Sequence, residues 1–451
     1  MKFRVLIWFA LLVLTILFTI DLIYETSPRL ALGLDNLHNA IFTSKSSEIK
    51  AIQKLNEVCP PLSTTTSSAP LTFSTPPSSS SSSALPQTTF SNPNFNTRRN
   101  FYLNQWSSPT CATPLCAQAL ASHKPGKTTK FPTVTSYDEK MHVEKIYCVG
   151  WEAVAEEPLS GKFNLLIKLG VGDNLFLYWS EYLEKLRKAG KQNSPSPIAV
   201  KFGDDKRDVN LPLLRKTRYA NSNSVILFKM GGWRHWVGLP DLVIGDTVAW
   251  ADKADKAVWR GSTTGAGGPK SYPKLIDGNK IGQDTGSFSQ RAQLVRRIPY
   301  FDEHFSEILD VGVTEYVQGV PALWGTKGEL SRGEQIRHKM IIIAEGNDVA
   351  TATKWALISS SAIIMAAPTV SSWLMEELLV AYIHYIPVEP DFSDLAVQVQ
   401  WCLDNLDDCK RIGNIGRCFM AQFLDSAEED RMTLEILQVA EQLNSMFDMC
   451  E

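Results

Sequence analysis

Several signatures that would assign a chemistry at once are missing from this chain. It has no G-x-x-x-x-G-K-[ST] phosphate loop, no G-x-S-x-G nucleophile elbow and no H-E-x-x-H helix. Serine-hydrolase and zinc-protease readings are demoted with them. The eight cysteines contain no C-x-x-C pair, so neither a zinc ribbon nor a thioredoxin-type redox site is indicated. No D-x-D triplet occurs, which removes the metal-bridging carboxylate motif of many single-sheet glycosyltransferases. Excess positive charge is lacking too. The 45 Lys and Arg against 48 Asp and Glu give a net charge of −3, and no basic nucleic-acid footprint is expected. No N-x-S/T sequon is present, so N-glycosylation offers no support for a lumenal placement.

What is there begins as an ordinary globular composition. The 451 residues are 44% hydrophobic and 21% charged, a length for about three units. The N-terminus departs from that pattern. Lys2 and Arg4 precede Val5 to Ile20, a run with nothing more polar than Thr15 and Thr19. Such a helix rises about 24 Å, short of a ~30 Å hydrocarbon core unless Leu22 to Tyr24 extend it. Its rival is a cleaved signal peptide, but no small-x-small cleavage site follows the run. The sequence therefore predicts a cytosolic tail and signal anchor over 1–26, with the rest of the chain lumenal.

Between Glu57 and Arg98 there is no charged residue, and Ser78 to Ser83 is unbroken serine. A Ser/Thr/Pro segment of this kind reads as an extended stalk, assigned to 27–132. The cysteines suit an oxidising compartment, with Cys402/Cys409 and Cys111/Cys116 as candidate short-range disulfides and Cys148 and Cys418 open between free and bonded. From about Thr133 apolar strand runs alternate with helical stretches, which predicts α/β lobes with parallel sheets over 133–250 and 251–451. Strands are expected at Phe163–Leu169, Pro197–Phe202, Ser224–Phe228, Ala257–Trp259, Met340–Ala344, Ala362–Met365 and Tyr382–Val388. Helices are expected from Asp173 to Leu186, then over Gln290–Ile298, Val349–Ile358, Ser371–Tyr382, Ser393–Leu403 and Ala427–Phe447.

Three polar turns follow strands and carry candidate chemistry. Arg260-Gly261-Ser262-Thr263-Thr264 combines a guanidinium, hydroxyls and close backbone approach, an anion-binding turn in type. Glu345-Gly346-Asn347-Asp348 leads from a strand into a helix, where α/β folds bind phosphates or sugar hydroxyls. Asn347 or Asp348 could equally be that helix's N-cap. Lys354 on the helix is a candidate to reach a diphosphate. In the first lobe Asp204, Asp205 and Asp208 end a strand beside basic residues and are candidate general bases. Asp391 and Asp394, after His384-Tyr385-Ile386-Pro387-Val388, read as structural caps.

In order and spacing these segments resemble glycosyltransferase family 90, the protein O-glucosyltransferases and capsule-associated xylosyltransferases. The match runs through Trp259-Arg260-Gly261-Ser262, Arg291, Lys339, Glu345-Gly346-Asn347-Asp348-Val349-Ala350, Lys354-Trp355, Ser359 to Ser361, Ser372-Trp373-Leu374-Met375-Glu376 and His384 to Val388, closing at Asp391 to Leu395. The resemblance covers roughly 195–420. It implies a GT-B fold of two Rossmann-like lobes facing a cleft, a UDP-sugar co-substrate, no cofactor or metal, and inversion at the anomeric carbon. It places the donor diphosphate on Arg260 with Ser262 beside it, and the base among Asp204, Asp205 and Asp208. The animal members carry an arginine near the place of Ala352, which leaves Lys354 to supply positive charge. Expected partners are a UDP-sugar, with xylose or glucose foremost, a protein or glycan acceptor, and the membrane through one span. The expected setting is the Golgi or ER, as a single-pass type II protein. Cell-wall or capsule xylosyl transfer and an inactive carbohydrate-binding protein are the alternatives.

Overall fold

The computed structural model describes residues 45–59, 92–107, 133–135, 145–149, 173–190, 198–204, 212–223, 225–265, 289–318, 322 and 325–445. The anchor expected over 1–26, the strand at Phe163–Leu169, Asp205, Asp208, Cys111 and Cys116 lie outside them. Among the described residues no helix is long and apolar enough to cross a membrane.

Two helices come from the segment expected as stalk: α1 (Lys45–Asn56) and α2 (Phe95–Leu103). Each packs apolar residues into the body, and Ala51, Leu55, Tyr102 and Leu103 are all buried. The stalk assignment is corrected here: these parts belong to the body. Lys54 Nζ donates to the carbonyls of Val243, Ile244 and Asp246 at 2.9, 3.2 and 2.9 Å. Arg98, buried, pairs with Glu428 at 2.9 Å and with Glu429.

The first lobe holds β1 (Thr133–Thr135), β2 (Lys145–Val149), α3 (Asp173–Lys188), β3 (Ile198–Lys201), β4 (Leu214–Arg215), β5 (Thr217–Tyr219), β6 (Ile226–Leu227), α4 (Gly232–His235) and α5 (Leu239–Gly245). Its sheet runs β1-β2-β3-β4-β6. β3, β4 and β6 are parallel, and β1 and β2 are antiparallel additions. All three parallel strands therefore end on one side, where Asp204, Lys216 and Arg234 follow them.

The second lobe begins with β7 (Ala254–Ser262) and continues through α6 (Gln290–Arg296), α7 (Ile298–His304), β8 (Leu309–Glu315), α8 (Arg332–Gln335), β9 (His338–Ile343), α9 (Ala352–Ile358), β10 (Ala362–Met365), β11 (Val370–Ser372), β12 (Ile386–Pro387), α10 (Leu395–Asp404), α11 (Leu406–Ala421) and α12 (Ser426–Ser445). The sheet is wholly parallel, in the order β12-β10-β9-β7-β8. Such a sheet is covered on both faces, which is why Met340 to Ile343 can be an unbroken apolar run. Ile341 and Ile343 join the cluster shared with the first lobe, and Met340 and Ile342 pack with α6, α7 and α10. From β7 the chain turns to β8 on one side, and from β9 to β10 on the other. The carboxyl ends of β7 and β9 are thus a topological switch point, where open α/β sheets bind ligands.

The helix expected over Ser371–Tyr382 is not formed. Val370–Ser372 is instead β11, pairing antiparallel with β5 of the first lobe. The hydroxyls and amides there are claimed by carboxylates: Ser372 N and Oγ donate to Glu376 at 2.6 and 2.8 Å. Met375 and Tyr382 take positive φ of 60° and 58°, which also breaks helical continuity. The lobes are joined further by Tyr102 Oη donating to Trp373 O at 2.5 Å and by Arg218 with Glu377 at 3.3 Å. α12 returns to pack on α2, α3 and β3.

Cys402 bonds Cys409 as the spacing suggests, and Cys418 bonds Cys59, 359 residues away. The second bridge ties α1 to α11. Replacing Cys418 by Ser is expected to cost about 2–5 kcal/mol, read as a lower Tm by calorimetry. A reductant should reproduce that shift in the wild type, and an unchanged Tm in both cases would deny the bridge a stabilising role.

Candidate functional site

The site lies where the carboxyl ends of the parallel strands in the two lobes meet. On the second lobe, the loop after β7 touches the loop after β9 through backbone alone. Gly265 has φ +81°, and a Cβ there would sit 2.3 Å from the Gly346 carbonyl carbon. Only glycine meets both demands. Ser262 Oγ and Thr264 Oγ1 are 2.8 Å apart. Thr263 is buried and exchanges hydrogen bonds with Val317, so its role is structural.

Arg291, at the start of α6, lies beneath these loops. Its Nη1 donates to Thr264 Oγ1 at 2.5 Å and to Ser262 O at 3.3 Å, and Nη2 donates to Ala344 O at 3.3 Å. Its guanidinium carbon would be 3.2 Å from a Cβ on Gly346. Nε is buried without a partner, and among the described residues no carboxylate pairs with this arginine. Burial, with the nearby charge of Arg234, pushes its pKa down to about 10. A guanidinium facing hydroxyls and a glycine, with no paired carboxylate among the described residues, has the chemistry to receive an anion.

Arg260 is differently employed. Its guanidinium forms a fork on Asp310 at 2.8 and 3.0 Å and donates to the carbonyls of Trp259, Asp310 and Gly328. Burial would raise the Asp310 pKa, but Arg260 and Lys327 outweigh it and hold the carboxyl below its usual range. The expectation that Arg260 takes the diphosphate is met by an arginine already saturated at the edge of β8. Gly261 follows it under the Trp259 ring.

Lys354 also departs from expectation. It is fully buried, with Nζ 2.5 Å from Glu376 Oε1 and 5.9 Å from the Trp373 ring centre. α9 presents it to the interior, not to the switch point. Glu345 clamps the next loop, accepting from Thr369 N at 2.9 Å and from the Thr369 hydroxyl. A small recess beside it has apolar walls from Ile343, Val349, Ala350 and Met365, with Gln290, Glu345, Thr353 and Glu376 as its polar lining.

From the first lobe, Asp204 reaches the same loops. Lys216 Nζ lies 2.5 Å from Asp204 Oδ1 and 2.8 Å from Asp348 Oδ2, bridging the lobes. Asn347 also hydrogen-bonds Asp204, and Arg234 Nη1 lies 3.6 Å from it. Burial would raise the pKa of Asp204, yet Lys216 and Arg234 outweigh it and hold it low. Asp348 is more deeply buried and is raised, by burial and by Asp204, despite Lys216. Asp348 therefore serves neither as N-cap of α9, which begins four residues later, nor as a solvent-exposed loop acid.

The structure thus brings together Asp204, Ser262, Thr264, Gly346, Asn347 and Asp348. It leaves Arg260, Thr263 and Lys354 in structural contacts. Lys216, Arg234 and Arg291 were not singled out as site residues by sequence reasoning. Arg291 stood in the motif order, while Lys216 and Arg234 sit in no recognisable pattern.

Comparison with known proteins agrees with the resemblance. The model of Glycosyl transferase family 90 matches residues 236–439. The chain is 27% identical over 204 residues to the O-glucosyltransferase LpsA of Dichelobacter nodosus, a match covering 45% of this chain and 53% of LpsA. It is 28% identical over 186 residues to the uncharacterized protein 035R of Invertebrate iridescent virus 3, covering 16% of that protein. The chain therefore spans about half the length of the first relative and a small part of the second. With the motif order and the parallel-sheet lobe that carries it, residues 236–439 are identified as a glycosyl transferase family 90 domain.

Proposed function

We propose that this protein is an inverting glycosyltransferase that moves a sugar, xylose or glucose foremost, from a UDP-sugar to a hydroxyl of a protein or glycan acceptor. The observation that carries the reading is Asp204 set against the Asn347–Asp348 loop, across from Arg291. In this reading the fold is GT-B. The diphosphate rests on Arg291, the Ser262 and Thr264 hydroxyls and the Gly346 backbone. No metal takes part, so charge developing on the diphosphate is met by these donors. The acceptor oxygen bonds to the anomeric carbon as the carbon–oxygen bond to the diphosphate breaks. UDP leaves with the bonding pair, and Asp204 accepts the hydroxyl proton. A type II protein of the Golgi or ER would suit such an enzyme.

Asp204 facing the second lobe weighs against an inactive carbohydrate-binding protein. The test is a donor screen with EDTA present, comparing UDP-xylose, UDP-glucose, UDP-galactose and UDP-glucuronate. Thermal stabilisation by UDP and UDP release from one donor are expected. Absence of binding by every UDP species would remove the transferase reading.

A further inference from the structure

We propose that Arg234, from the first lobe, is a second anion-binding arm of this site, gripping across the cleft the same diphosphate that Arg291 receives from the second lobe. The inference rests on the functional reading above and assigns a residue that lies just before the segment matched by the family model.

The backbone that carries Arg234 is anchored on both sides. β6 ends at Leu227, and the chain then turns at Gly231, where φ is +85°. The amides of Gly231 and Gly232 both donate to Glu181 Oε2, at 2.8 and 2.9 Å. Beyond the residue, Arg332 Nη1 donates to Val237 O at 2.9 Å. The Arg234 side chain is not packed away in the same manner, and 38% of it is exposed. A fixed root with an accessible guanidinium is the arrangement of a ligand-reaching arginine.

Besides the Tyr178 hydroxyl its partner is Asp204, which does not need it. Asp204 already has Lys216 at 2.5 Å on the oxygen that Arg234 approaches only to 3.6 Å. Lys216 also serves Asp348. Around the cleft-facing acids the site sets three cations, Lys216, Arg234 and Arg291, against Asp204 and Asp348, while Glu345 on the same loop is engaged by Thr369. His235 adds no charge, because burial and the surrounding cations Lys216, Lys354, Arg234 and Arg332 hold it neutral.

Position completes the case. Asp204 is hydrogen-bonded to Asn347, whose neighbour Gly346 lies against the Arg291 guanidinium. Arg234 and Arg291 thus approach one short loop from opposite lobes, near enough for the charge of Arg234 to disfavour that of Arg291. Two guanidiniums approaching one loop repel one another, and an anion between them converts the repulsion to attraction. A nucleoside gains nothing there, whereas a nucleoside diphosphate gains both arms.

The experiment is calorimetric titration of the full chain with UDP and with uridine, for wild type, Arg234→Gln, Arg234→Lys and Arg291→Gln. Loss of a charge-assisted contact should weaken UDP binding of Arg234→Gln by about tenfold or more. Uridine affinity should stay unchanged, and Arg234→Lys should fall between. Wild-type UDP affinity in Arg234→Gln, with Arg291→Gln weakened, overturns this inference and leaves the functional reading standing. Equal loss of UDP and uridine in Arg234→Gln also overturns it, since the contact would not be to phosphate. Wild-type UDP affinity in Arg291→Gln, or no UDP binding by the wild type, removes the functional reading itself.

Discussion

Asp204→Asn is expected to lower kcat by about a thousandfold while leaving UDP affinity unchanged, a loss within the range for removing a positioned general base. The amide keeps the shape of the side chain and an oxygen for Lys216, but it cannot accept a proton. The donor's contacts are Arg291 and the hydroxyls of the second lobe, with Arg234 from the first, and the amide removes none of them. A pH profile gives the same claim a second edge. Burial favours the neutral acid, but Lys216 and Arg234 dominate and hold the Asp204 pKa below its ordinary value. The basic form is therefore retained into acid, and kcat/KM should fall only as pH drops through that lowered pKa. Lys216→Met removes the nearest cation and leaves Asp204 beside Asp348. The Asp204 pKa then rises, and the acid limb of kcat/KM moves to higher pH. Full turnover by Asp204→Asn would transfer the base to Asp205 or Asp208. An unmoved limb in Lys216→Met would show that Asp204 is not the group titrating.

The sequence was most legible where local chemistry and tertiary role coincide. Met340 to Ala344 is a strand because a β-branched apolar run suits a sheet covered on both faces, and it lies within β9 and the residue that follows it. The loops at 262–265 and 345–348 were found because a switch point calls for glycine and small polar residues. Ser371–Tyr382 misled because its apolar spacing imitates a helix, while its outcome was decided by partners far away in sequence. β5 lies about 150 residues upstream, and Glu377 receives Arg218 and the Asn221 amide. Lys216 and Arg234 were invisible for a similar reason. Each is one more basic residue in a basic stretch until folding sets it against Asp204 and Asp348. Arg260 and Lys354 show the converse: a motif position announces a residue's presence, but only the fold reveals whether its charge is already taken. Asp310 takes one and Glu376 the other.

Lys354 gives that distinction its sharpest test. Its ion pair with Glu376 is buried at both ends, with exposures of 0% and 4%. Truncating one partner of such a pair strands the other charge in the interior, and Lys354→Met is expected to lose about 3–5 kcal/mol of stability. Glu376→Gln added to it removes the stranded charge while keeping an oxygen for the Ser372 amide, so the double variant should recover much of the loss. Denaturant unfolding of the two variants measures this directly. UDP titration of the double variant then separates the two roles. A lysine that only neutralises Glu376 can be deleted with its partner and leave donor affinity intact. A lysine that reaches the diphosphate cannot, and a stable double variant with weakened UDP binding would return Lys354 to the donor site. A single variant as stable as wild type would mean that Glu376 is satisfied by Ser372 alone. The burial argues against that outcome, because Glu376 as a whole residue is only 3% exposed and has little water to turn to once its lysine is gone.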